Sequence, residues 1–121
     1  MRTVLAGLLL LAASSAFAGE ADVIAVAIER HAGTEDMFDV RATILSNDTG
    51  NDYYADAFEV LAPDGRLLGR LELAHPHADE QPFTRALENL KIPLGIERVT
   101  VRARHKPRGY DGQTVTVRLP R

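Results

Sequence analysis

His75-Pro76-His77 is where residue types and spacing in this chain best suit chemistry. In extended backbone, residues i and i+2 point to the same side. Pro76 pushes His75 toward that geometry, and Pro82 does the same to Gln81. Two imidazoles held side by side, with Asp79 and Glu80 close by, form a nitrogen-and-oxygen donor set that suits Zn²⁺ or Cu²⁺. His105, Asp56 and Tyr54 are expected to approach from neighbouring loops. The expected metal ligands are therefore His75, His77, His105 and Glu80. The same segment also reads as two exposed histidines in a polar loop, with its prolines and Glu80 as braces. Three protein ligands and an open position would allow a metal-activated water, and so a small metal-dependent hydrolase.

Other catalytic chemistry finds little material. Ser46 is the only serine after residue 18, and no nucleophile elbow surrounds it. There is no cysteine, which removes thiolate metal sites, a cysteine nucleophile, disulfides and lipid attachment at a lipobox cysteine. Carboxylates are plentiful, but none forms an obvious buried pair for acid–base work. No glycine-rich loop is built to cradle phosphate. The expectation is a non-enzyme with no catalytic residue. Contact residues for a protein or small-ligand partner are expected among Tyr54, Tyr110 and Arg85. Exposed tyrosines at loop ends make good contacts, although a tyrosine before the last strand is as often packed. Arg85 suits a two-pronged carboxylate contact, and its expected partner is internal, with ligand binding as the alternative.

The elements that must position these groups are strands. Ile24, Val26 and Ile28 recur with a period of two, as do Phe38, Val40, Ala42 and Ile44. The pattern continues in Phe58 and Val60, in Leu67, Gly69, Leu71 and Leu73, in Val99, Val101 and Ala103, and in Val115, Val117 and Leu119. Such alternation marks strands with one face in a core and one in water. Turn signals such as Ala62-Pro63-Asp64-Gly65 punctuate them. Seven strands are predicted, near 22–30, 37–46, 53–61, 66–73, 83–89, 97–104 and 113–119. Over Phe83–Leu90, the spacing of Ala86, Leu87 and Leu90 fits a short helix about equally well. Seven short strands in about 100 residues predict an antiparallel immunoglobulin-like sandwich of fibronectin III type. Strand counting then places loops 47–52, 74–82 and 105–112 at one end, and loops 31–36, 62–65 and 90–96 at the other. His31 should lie far from His75.

The first 18 residues read as an address. Met1-Arg2-Thr3 is basic, Val4 to Ala13 is apolar, and Ala16-Phe17-Ala18 is a small-x-small cleavage site. The expected organisation is a signal peptide at 1–18 and one sandwich domain at 19–121, periplasmic or secreted, with no integral membrane segment in the mature chain. Residues 19–64 hold 11 acidic and 2 basic residues, whereas residues 65–121 hold 6 acidic and 11 basic. Arg98, Arg102, Arg104 and Arg118 share the water-facing parity near the end of the chain. With the third strand beside the sixth, Glu59 should face these arginines across the sheet. No aromatic interleaving supports nucleic-acid binding.

The loop His75-Pro76-His77-x-x-Glu80-Gln81-Pro82-Phe83-Thr84-Arg85 and the ending Gly109-Tyr110-Asp111-Gly112-Gln113-Thr114-Val115-Thr116-Val117 carry a resemblance. The chain resembles a group of small exported bacterial β-sandwich proteins with an HPHxxEQPFTR-type loop. The resemblance covers most of residues 19–121 and implies a small exported sandwich, with no activity attached to it. The expected function is that of an exported binding module whose working surface is one loop end.

Overall fold

Alternation along the chain becomes two layers in space. The computed structural model describes Leu10–Leu11 and residues 18–121, so the rest of the expected leader lies outside the described residues. A two-residue strand β1 (Leu10–Leu11) precedes the seven expected strands. These are β2 (Ala21–Arg30), β3 (Met37–Ser46), β4 (Tyr54–Leu61), β5 (Leu67–Glu72), β6 (Phe83–Lys91), β7 (Arg98–Lys106) and β8 (Val115–Arg118). One antiparallel sheet runs β1-β2-β3-β6 and the other β5-β4-β7-β8. This is the immunoglobulin-like sandwich of fibronectin III type, with three long strands facing four. No helix among the described residues is long and apolar enough to cross a membrane.

The core is the sum of the inward parities. Val26, Ile28, Phe38, Val40 and Ile44 of one sheet pack against Phe58, Val60, Val99, Val101 and Val115 of the other. Among the described residues, every core residue lies between Ala21 and Leu119.

Four bulges interrupt the parity, and they explain where sequence and structure part. Register shifts between Val23 and Ala25 on β2, so Val23 and not Ile24 joins Val26 and Ile28 in the core. Register shifts again opposite Val60–Leu61, where Leu68 packs toward the core and Leu67 is left 52% exposed. On β6, Glu88 and Asn89 together oppose Asp39, because Phe38 faces Leu90 while Val40 faces Leu87. Asn89 takes a left-handed conformation (φ 59°), and its N–H donates to Asp39 Oδ1 at 3.0 Å. The extra residue puts Leu87 and Leu90 on one face at a spacing of three. A bulged strand therefore produced the helix-like spacing, and Phe83–Lys91 is a strand. The fourth bulge, at Asp56 on β4, matters for the site below.

On the outer face of the second sheet, Glu59 meets its expected partner. It lies opposite Arg102 in the β4–β7 register and opposite Arg70 in the β4–β5 register. Arg102 Nη2 is 2.8 Å from Glu59 Oε1, Arg70 donates to Oε2, and the Tyr110 hydroxyl donates to Oε2 at 3.0 Å. The Arg102 guanidinium lies 3.7 Å over the Tyr110 ring, which roofs the pair. This cover leaves Glu59 only 4% exposed although it points away from the core. Burial alone would raise its carboxyl pKa. The hydrogen bonds from Arg102, Tyr110 and Arg70 outweigh burial and hold it below the ordinary value of 4.5. Stability from this network is complete above about pH 4.5 and is lost as pH falls through the lower folded value. Glu59→Gln should flatten that part of the acid-unfolding profile and lower stability at pH 7, measured by urea titration across pH 2–7.

Arg98 and Arg118 are a different case. They are direct cross-strand partners, both exposed, and neither makes an ion pair among the described residues. Like charges in that position repel. Arg98→Glu should therefore stabilise the fold by about 0.2–1 kcal/mol at low salt, with a smaller gain at 1 M salt. Denaturant midpoints at the two salt concentrations measure both effects.

Candidate functional site

The loops gather as strand counting requires. At one end, loop 47–52 touches both loop 74–82 and the end of β7. At the other, Ile92 N donates to Asp36 O, and the Arg121 guanidinium donates to the Glu35 and Pro93 carbonyls at 2.8 and 2.7 Å. His31 sits at this second end, where its N–H donates to Met37 O and its Nε2 lies 2.7 Å from Asp39 Oδ1. The length of β3, about 30 Å of extended chain, runs from there to Ser46 beside loop 74–82.

Asp48 organises the histidine end. Its side chain is nearly buried, at 8% exposure. Oδ1 accepts from the Ser46 hydroxyl at 2.8 Å and from Ala55 N at 3.0 Å, and Oδ2 accepts from His77 N at 2.9 Å. Gln81 supplies a second tie. Its Oε1 accepts from Ser46 N at 2.8 Å, and its Nε2 donates to His77 O at 3.0 Å and to Ser46 Oγ at 3.2 Å. Loop 74–82 is thus bolted to the end of β3 by two side chains.

His77 is held in turn. Its ring stacks on Phe83 with centroids 4.0 Å apart and planes 9° apart. Arg85 Nη2 lies 2.9 Å from Nε2, so the ring accepts there and the neutral imidazole carries its proton on Nδ1. Burial, followed by the Arg85 and His75 charges, keeps its pKa below the usual histidine range. Nδ1 itself is buried and makes no hydrogen bond. Arg85 completes the arrangement with Glu80 Oε1 at 3.7 Å. The expected internal partner of Arg85 is therefore Glu80, joined by His77.

Of the four expected metal ligands, the fold brings two rings together: His75 and His77 have centroids 4.7 Å apart. His105 has another place. The alternation Val99, Val101, Ala103 continues one step further than expected, so His105 belongs to β7 and is fully buried. Its Nε2 lies 3.0 Å from Asn47 O, and its ring meets Tyr53 edge-on at 4.4 Å. Glu80 is exposed and turned to Arg85. Among the described residues no three His, Cys, Asp or Glu side chains converge in a way that could hold a metal ion. Asp56, on its bulge, pairs with Arg104, while its Oδ1 is buried without a hydrogen bond.

The expected contact residues divide similarly. Tyr54 is half-buried, with Lys106 Nζ 5.7 Å from its ring centroid. Tyr110 is the roof of Glu59 and remains 42% exposed. Asp48 and Gln81 were not singled out by the sequence. Asp48 sits in Ser46-Asn47-Asp48-Thr49-Gly50-Asn51-Asp52, where every residue is a turn former and none stands out. For Gln81 the available signal was its place directly before Pro82 in the His75–Arg85 segment.

On loop 74–82 itself, Ala74, His75, Ala78, Asp79, Glu80 and Pro82 are exposed. The chain is similar to a protein of Halomicrobium mukohataei named "Putative lipoprotein", with 39% identity over 98 residues. The similarity covers 81% of this chain and 47% of that protein, so the chain spans about half its relative's length. No protein-family model matches the chain, and no solved structure matches it.

Asp48→Ala should release the loop. It strands the Ala55 and His77 N–H groups, each worth about 1–3 kcal/mol when buried without an acceptor. The expected result is a loss of about 2–5 kcal/mol in urea unfolding and faster amide exchange at His77.

Proposed function

We propose that this chain is an exported, non-catalytic interaction module that presents loop 74–82 to a protein or small-ligand partner. The observation that carries this reading is the combination of a fixed loop with an exposed crest. Asp48, Gln81 and the Phe83–His77–Arg85 stack immobilise the base of the loop. His75, Asp79, Glu80 and Pro82 face water. A loop already ordered loses little conformational entropy on binding, and functional contacts commonly sit on loops held by a rigid scaffold. Asp48, Gln81 and His77 Nε2 are themselves engaged in holding it. Export is supported by the leader pattern of residues 1–18 and by likeness to a protein named as a lipoprotein.

A second reading, metal binding with Zn²⁺ or Cu²⁺, draws on the 4.7 Å approach of His75 to His77. It requires His77 Nε2 to leave Arg85.

One pair of experiments separates the readings. A partner captured from the exported fraction by the wild-type chain should be lost at least tenfold with His75→Ala/Glu80→Ala. These exposed substitutions should change stability by no more than about 0.5 kcal/mol. Equal capture by the variant would move the working surface elsewhere. Calorimetry with Zn²⁺ and Cu²⁺ decides the second reading: saturable binding that needs both His75 and His77 supports it, and no such binding removes it.

A further inference from the structure

Asp22 is a buried acid that the interaction reading does not use. It is 4% exposed, and among the described residues it has no cation within ion-pair distance. Arg108 lies 3.6 Å from Asp111. The Asp22 Oδ1 atom accepts from Gln113 N at 2.6 Å and from Gly19 N at 3.0 Å. A buried carboxylate without a countercharge is costly, and two neutral N–H donors offset only part of that cost.

The segment that brings Gly19 there is tightly seated. Val23 N donates to Gln113 O at 2.9 Å, and Glu20 N donates to Asp111 Oδ1 at 3.1 Å. A Cβ on Gly19 would overlap the Asp111 carbonyl, and one on Gly112 would overlap the carbonyl of Ala21. The two segments meet so closely that both positions require glycine. Ala18, one residue earlier, is exposed. The bond between an exposed small residue and a seated glycine is also the expected cleavage point after Ala16-Phe17-Ala18.

We propose that hydrolysis of the Ala18–Gly19 bond completes a buried ion pair, with the new α-ammonium of Gly19 held by Asp22. Water attacks the Ala18 carbonyl carbon and the C–N bond breaks. The oxygen leaves with the leader as a carboxylate, and Gly19 nitrogen gains protons to become an ammonium. The neutral amide that already donates to Asp22 is replaced in the same seat by a cation with three N–H donors. Leader removal then stabilises the domain as well as releasing it. The inference rests on the export reading for the enzyme that cuts, and not on the loop 74–82 surface.

N-terminal sequencing and intact mass of the exported protein should show a chain beginning at Gly19. The 19–121 chain contains every core residue found among the described residues, so it can be compared with an 18–121 chain that retains Ala18. The Gly19 chain should melt roughly 4–8 °C higher. In an Asp22→Asn background the two midpoints should coincide. Equal midpoints in the wild-type background, a gap that survives Asp22→Asn, or an exported chain starting elsewhere would each overturn the proposal. Loss of partner capture leaves all three measurements untouched.

Discussion

The carboxylate of Asp48 is the interaction on which the histidine end depends. A buried acid needs donors around it, and those donors fix whatever carries them. Asp48 draws its donors from Ser46, Ala55 and His77, and so joins the end of β3, the start of β4 and loop 74–82. Without it, Gln81 alone would tie the base of the Phe83–His77–Arg85 stack to the end of β3. Two other acids repeat the principle. Glu59 ties β4 to β5, β7 and the last hairpin through Arg70, Arg102 and Tyr110. Asp22 ties the start of β2 to the strand-leading residues 111–113. In a domain with no disulfide, three sunken carboxylates act as cross-links between segments distant in sequence.

The strands were legible because alternation is a direct image of a two-layer core. Val99, Val101 and Ala103 face inward as their spacing says, and His105 continues them. The departures have one cause. A bulge adds a residue to one strand, so a parity count drifts by one beyond it. That drift moved Ile24 out of the core, put Leu67 in water and gave Leu87 and Leu90 a helix-like spacing. Bulges depend on the partner strand, which a single strand's pattern does not contain.

The site was legible in place but not in construction. Loop topology located His75 and His77 at one end, beside loop 47–52. Glu59 opposite Arg102 followed from strand order. The roles of the histidines did not follow from their spacing. His77 is a packed ring between Phe83 and Arg85, and the His105 ring is set between Asn47 and Tyr53. An aromatic nitrogen can accept from a guanidinium or donate to a carbonyl as well as bind a metal. Sequence spacing cannot choose among these uses. The packed ring explains instead how this segment holds together: Gln81, Phe83 and Arg85 each contact His77.

The pairing of Leu10–Leu11 with Ala25 and Val26 has a consequence for solubility. With those two residues in place, β2 is an inner strand of its sheet. Without those two residues β2 would be a rim, and rims of flat apolar strands template pairing between molecules. The register break between Val23 and Ala25 falls on that strand. A bulged rim twists away from the regular ladder that a second chain would need. The irregularity that confused the parity count thus interrupts the regular ladder on the strand that Leu10–Leu11 covers.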